Sequence, residues 1–210
     1  MASMEFWFEY GSTYSYLSVA RIGRMAQRAG VEVAWRPFLL TPILSALGMP
    51  KGPFLTNPAK MAYMWRDLER RAAWHGIPFR KPSHSPPDTL RTARIGMVGC
   101  QDGWCREFTE RTFALHWTED RPIGSDGNLG TVMRDMRLEP AEILARAQGD
   151  EIKAALRAQT ERARTLGIFG SPTFVVEGEL YWGDDRLKEA MERACTSEFV
   201  PPDVDLLFEI

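Results

Sequence analysis

Glu9-Tyr10-Gly11-Ser12-Thr13-Tyr14-Ser15-Tyr16-Leu17 is the stretch on which the reading of this chain turns. The residues leading into it, Glu5-Phe6-Trp7-Phe8-Glu9-Tyr10, are short, aromatic and strand-like. Those following it place Leu17, Ala20, Ile22 and Met25 at helical spacing, so the pattern predicts a helix from Tyr14 to Ala29 that Gly30 ends. Gly11-Ser12 breaks the strand, and serine is among the residues that best cap a helix N-terminus. Val31-Glu32-Val33-Ala34-Trp35-Arg36-Pro37-Phe38 then alternates as a second strand. Strand, helix and strand in this order predict a parallel βαβ unit.

Beyond it the periodicity becomes helical. Pro42, Pro50, Pro53 and Pro58 punctuate a stretch read as loop-rich. Helices are predicted over Ala59 to His75, Thr89 to Gly99, Trp104 to Trp117 and Asp126 to Met136, with a proline-rich connector from Pro78 to Pro87. Pro140 fits the first turn of a further helix ending at Gly149, and Asp150 caps another that turns Ile152, Leu156, Ala163 and Leu166 inward. Strands return at Thr173-Phe174-Val175-Val176 and Leu180-Tyr181-Trp182, joined through Glu177-Gly178-Glu179 as a tight hairpin. Asp184 or Asp185 is read as the cap of a closing helix, Arg186 to Ala194. A helical stretch this long exceeds any ordinary crossover. It predicts an α/β domain split into two halves, residues 4–40 and 161–197, around an all-helical insertion, residues 41–160, with a tail at 198–210.

Composition narrows the function classes. Of 210 residues 44% are hydrophobic, enough for a sizeable core. The formal net charge of -2 shows no basic excess for nucleic acid, and no apolar run approaches a membrane span. Met1-Ala2-Ser3-Met4-Glu5-Phe6 lacks the basic and apolar regions of a signal peptide, so a cytoplasmic protein is expected. Cys100, Cys105 and Cys195 are odd in number and contain no C-x-x-C, which fits free thiols better than a disulfide framework or metal site. His75, His84 and His116 are scattered, and no chemistry or metal is assigned to them.

Two features point to chemistry. At a helix N-terminus, free N–H groups and the helix dipole favour an anion, and the Ser12 hydroxyl adds a donor. A ligand thiolate placed there is held ionised and becomes a ready nucleophile without a protein cysteine. The plainer alternative is that Ser12 only caps the helix. As an independent nucleophile it lacks an adjacent base, and its surroundings do not match a G-x-S-x-G elbow. Far downstream, Gly170-Ser171-Pro172-Thr173 sets a proline between a glycine-containing loop and a strand. It is either a strand-start proline or a candidate cis bond that holds Ser171 extended, with a backbone edge for a peptide-like ligand.

These motifs, together with Pro58-Ala59-Lys60, Gly167-Ile168-Phe169-Gly170 and Trp182-Gly183-Asp184-Asp185-Arg186-Leu187, resemble the 2-hydroxychromene-2-carboxylate isomerases. That family groups with kappa-class glutathione transferases and is related to bacterial disulfide oxidoreductases. The resemblance runs from about Glu5 to Ala194 and implies a thioredoxin-like fold with glutathione as cofactor. It implies that Ser12 is catalytic and hydrogen-bonds the glutathione sulfur, and that Ser171, before Pro172, pairs with the cysteinyl backbone. Lys60 would face a glutathione carboxylate, and Asp184 and Asp185 would take the γ-glutamyl end. Asp67, seven residues after Lys60, matches relatives as well. Tyr14, Phe38 and Trp182 flank the site as candidates for an aromatic substrate pocket. Three positions depart from the family: Thr13 stands where proline is usual, Asp184 replaces serine or asparagine, and no family asparagine aligns around Lys51.

The activity so implied is a glutathione-dependent cis–trans isomerisation of an aromatic pyruvate-type substrate in aromatic catabolism. The alternatives are a kappa-like transferase that leaves glutathione on an electrophile, and a noncatalytic thioredoxin-fold binding protein. A thiol-disulfide oxidoreductase centred here is excluded, because Ser12 and Ser15 hold both positions that need cysteines. Relatives are commonly dimers, and the apolar tail ending Leu206-Leu207-Phe208-Glu209-Ile210 permits a homodimer.

Overall fold

The computed structural model of the chain describes residues 2–49, 56–83 and 88–196. A four-stranded sheet with order β2-β1-β3-β4 organises it, built from β1 (Ser3–Phe8), β2 (Glu32–Pro37), β3 (Thr173–Val176) and β4 (Glu179–Trp182). β1 runs parallel to β2 and antiparallel to β3, so Phe6 stands opposite Trp35 on one side and Phe174 on the other. Helix α1 (Thr13–Ala29) makes the crossover between β1 and β2. At its end Gly30 takes φ 66° and returns its N–H to the Ala26 carbonyl, a conformation that side chains with a Cβ disfavour.

Phe6, Trp7 and Phe8 of β1 are fully buried because both faces of the strand are covered there. Met4, Phe6 and Phe8 point into the larger core with Phe174 and Val176, while Trp7 and Val175 point the other way. Phe6 stacks on Phe174 with ring centroids 5.4 Å apart and meets Trp35 edge-on at 5.1 Å. On the first face lie α1 and the closing helix α9 (Leu187–Cys195); on the second lies α8 (Asp150–Thr165), which supplies Ala163 beside Trp7. Each buried aromatic or aliphatic side chain contributes about 1.5–3 kcal/mol, so these strands have little freedom to change register.

Between the halves come α2 (Leu40–Ala46), α3 (Pro58–Trp74), α4 (Leu90–Asp102), α5 (Cys105–Glu119), α6 (Asp126–Asp135) and α7 (Pro140–Gln148). Their apolar faces, including Leu68, Ile95, Phe108, Phe113, Trp117 and Met133, join Phe6 and Phe8 in one continuous core. The insertion expected at residues 41–160 would end inside α8, whose Ala163 packs on the sheet. Three local expectations change. The stretch around Pro42 opens with the short helix α2, because a proline in the first turn removes an N–H that has no partner there. β1 ends at Phe8 instead of Tyr10, since the chain turns and the Ser12 N–H bonds the Glu9 carbonyl at 3.0 Å. Asp184 and Asp185 open a 3-10 turn instead of capping α9, which has no side-chain cap. The hairpin turn follows its sequence, with Glu177 and Gly178 both at positive φ (50° and 88°).

Pro50, Lys51, Pro53, His84 and the tail 198–210 lie outside the described residues. No helix among the described residues is long and apolar enough to cross a membrane.

Candidate active site

The β1–α1 turn delivers Ser12 to the N-terminus of α1. Its hydroxyl accepts from the Ser15 N–H at 3.3 Å and donates to the Ser171 carbonyl at 2.9 Å. The Ser171–Pro172 peptide bond is cis. The Ser171 hydroxyl accepts from the Glu9 N–H at 2.9 Å and lies 2.8 Å from the Ser15 hydroxyl. Three serines from two distant segments thus meet where the α1 dipole presents its positive end. Ser12 thus caps α1 and at the same time ties it to the Ser171 loop.

Glu9, which the sequence reading places in the first strand and at the head of the Ser12 motif without giving it a role, bonds directly to this turn. Its carboxylate accepts from the Thr89 hydroxyl at 2.6 Å and from the Gly11 N–H at 2.8 Å. Burial pushes its carboxyl above the ordinary value, although both hydrogen bonds pull the other way. Its signal was a charged residue directly after the aromatic run Phe6-Trp7-Phe8. Thr89 is remote in sequence, and nothing local paired the two.

α3 carries Lys60, Asp67 and Arg71 on one face, at intervals of seven and four residues. Lys60 is exposed in the first turn, where its N–H bonds the Asn57 cap at 3.1 Å. Asp67 accepts from the Tyr14 hydroxyl at 2.9 Å and from Arg70 at 3.0 Å. Burial, and secondarily the Asp67 contact, hold the Tyr14 phenol well above the usual tyrosine range. Tyr14 is therefore a strut between α1 and α3.

Asp184 is buried with only 3% exposure. One carboxylate oxygen takes Arg71 at 2.8 Å and Arg21 at 3.0 Å, and Arg21 also donates to the Asp184 carbonyl at 2.9 Å. Burial raises its carboxyl, while Arg71 and then Arg21 oppose that. Its observed partners are thus internal: it is the counter-ion of two guanidiniums that sequence reasoning did not select. Their signal was weak, because arginines on α1 and α3 read as ordinary solvated charges. Asp185 is exposed and pairs with Arg186 at 3.4 Å.

The three candidate pocket aromatics separate. Phe38 is fully buried with Trp7, Ile43 and Ala163, so it is a core residue and does not line an open pocket. Trp182 is 54% exposed and meets the half-exposed Phe169 edge-on at 4.8 Å. Gly170 lets the indole lie against the loop, since a Cβ there would come within 2.1 Å of Trp182 Nε1. Phe169, not chosen from sequence, thus extends an aromatic surface one residue from Gly170 and two from Ser171; its signal was an aromatic in a glycine-flanked loop. A groove of about 450 Å³ lies elsewhere, lined by Trp35, Arg36, Cys100, Cys105 and Arg106. Among the described residues no cluster of three or more His, Cys, Asp or Glu gathers as a metal site.

A mixed sheet crossed by α1, with a cis-proline loop opposite the α1 N-terminus, defines a thioredoxin-type protein. Residues 3–193 match the DsbA-like thioredoxin domain, and the chain belongs to that family. It is 27% identical over 203 residues to glutathione S-transferase kappa 2 of Caenorhabditis elegans, covering 90% of each chain. It is 24% identical over 185 residues to the 2-hydroxychromene-2-carboxylate isomerase of Sphingobium xenophagum, covering 88% of this chain and 94% of that one. A solved 2-hydroxychromene-2-carboxylate isomerase superposes with a TM-score of 0.82 at 24% identity, over 92% of this chain and 96% of the other. Isomerases and glutathione transferases of this fold are thus among the proteins the chain resembles.

Proposed function

We propose that the protein is a glutathione-dependent cis–trans isomerase acting on an aromatic pyruvate-type substrate. The observation that carries this reading is the Ser12 hydroxyl at the α1 N-terminus, 2.9 Å from the Ser171 carbonyl, with Ser15 in place of a second cysteine. These groups fit a cysteinyl peptide: a helix N-terminus and a hydroxyl suit its sulfur, and an extended residue beside a cis-proline suits its backbone.

Bound glutathione supplies a nucleophilic sulfur that adds reversibly to a conjugated double bond and so permits rotation about it. The chain's own residues hold that sulfur ionised and in place. Ser12 turns its O–H from the Ser171 carbonyl toward the sulfur, and the released carbonyl accepts an N–H from the peptide. Lys60 attracts one carboxylate, and Asp185 receives the ammonium of the γ-glutamyl end. Asp184 acts one layer deeper, by fixing Arg21 and Arg71. Trp182 and Phe169 offer rings for the substrate to stack on, with Tyr14 bracing the opposite wall.

The likeness to a kappa-class glutathione transferase supports a second reading, in which glutathione stays on the product. Incubation with glutathione and a hydroxychromene carboxylate separates the two. A product of unchanged mass with an altered absorption spectrum supports the isomerase; a glutathione adduct supports the transferase. Absence of glutathione binding by calorimetry overturns both and leaves a binding protein. We further propose that the enzyme works in the cytoplasm as a homodimer, which centrifugation and cell fractionation test.

A further inference from the structure

We propose that Cys100 and Cys105 form a second, redox-active site that exchanges with small carboxylate-bearing disulfides and does not depend on Ser12. The two cysteines are brought together by the reversal from α4 into α5. Gly103, at φ 84°, and Trp104 both return their N–H groups to the Gly99 carbonyl. Cys105 therefore folds back on α4 so closely that a Cβ at Gly99 would lie 2.9 Å from its α-carbon. Both cysteines line the groove of about 450 Å³.

They differ in access. Cys100 is half-buried and donates from Sγ to the Trp35 carbonyl at 3.4 Å, while Cys105 is buried. The more accessible Cys100 therefore makes the first attack; contact with the Cys100 thiol, followed by burial, pushes the Cys105 thiol up. Cys195 is exposed on α9 and lies outside the groove. Arg36 and Arg106 also line it. Each meets one carboxylate, Glu5 at 3.1 Å and Glu110 at 2.9 Å, but a guanidinium has five N–H donors and retains capacity for an anionic ligand.

The Cys100 thiolate attacks one sulfur of the small disulfide; its S–S bond breaks, a mixed disulfide forms on Cys100, and one small thiolate leaves. The Cys105 thiolate then attacks Cys100 Sγ, the mixed disulfide breaks, a Cys100–Cys105 bond forms and the second small thiolate leaves. The protein loses two electrons and two protons, and the small disulfide is reduced to two thiols.

The probe is oxidised glutathione, added to reduced full-length protein and quenched with acid before mass analysis of the intact chain and its peptides. The expected product carries a Cys100–Cys105 cross-link, two hydrogens lighter in the peptides that hold those two cysteines, beside any glutathionyl group on exposed Cys195. Cys105→Ser is expected to stop at one glutathionyl group on Cys100. Cys100→Ser is expected to leave Cys105 unmodified while Cys195 still reacts. Ser12→Ala is expected to cross-link as the parent does, which separates this proposal from the isomerase reading. A neutral hydroxyethyl disulfide is expected to react several-fold more slowly. The proposal is overturned if Cys195 is labelled and Cys100 is not, if the adduct on Cys100 never resolves in the parent chain, or if the neutral disulfide reacts equally fast. The parent-chain measurement needs no variant to fold.

Discussion

The Ser12 hydroxyl donates to the backbone carbonyl of Ser171 across 159 positions of sequence, at 2.9 Å. This bond closes the β1–α1 turn onto the cis-proline loop. Under the proposed function, it also occupies the two groups assigned to a cysteinyl ligand, so the ligand must displace this bond. Removing that hydroxyl should separate anion stabilisation from folding. Ser12→Ala is expected to keep the fold and to lower kcat/KM about tenfold to a hundredfold, the worth of one hydrogen bond to a charged group. Thiolate absorbance of bound glutathione, titrated against pH, should show its pKa raised. An unchanged pKa and turnover would remove Ser12 from the mechanism.

Glu9 links α4 to the active turn through Thr89 and Gly11, at the cost of burying a carboxylate. Its folded pKa lies above the ordinary 4.5, so the folded chain binds more protons than the unfolded one between those two values. Its contribution to stability therefore falls as pH rises through that window. Glu9→Gln is expected to abolish this slope and to be at least as stable as the parent at neutral pH, because an amide can still meet Gly11 and Thr89. Urea denaturation from pH 4 to pH 8 checks it; a parental slope in the variant would assign the effect to another group.

Asp184 balances Arg21 and Arg71 where water has little access. Asp184→Asn leaves two guanidiniums facing each other with an amide, and about 3 kcal/mol of stability should be lost, at the low end for a broken buried pair because Arg71 is partly exposed. Replacing both arginines by methionine in the Asp184→Asn background should recover part of it. A loss under about 0.5 kcal/mol in denaturant would show that the cluster is no more than a surface pair.

Phe38 and Trp182 should part company on mutation. Phe38→Ala empties a fully buried site and is expected to cost about 3–5 kcal/mol without a selective effect on KM. Trp182→Ala alters an exposed ring, so stability should move by under about 1 kcal/mol while KM for an aromatic substrate rises. The reverse pattern would return Phe38 to the pocket and Trp182 to the core.

Local periodicity and turn chemistry by themselves determined the strand–helix–strand opening, the helical middle, the Glu177-Gly178 hairpin and the placing of Ser12 at a helix start. Those features depend on neighbours within a few residues, and side-chain period and backbone preference report them directly. The tertiary structure alone decided which residues meet. Glu9 and Thr89 are 80 positions apart, and Asp184 and Arg71 are 113; no local pattern pairs them. The same holds for burial. Phe38 and Trp182 both end aromatic strand-like segments, yet one is sealed by α2 and α8 and the other is left open, because coverage depends on how helices cross a sheet and not on the residue covered.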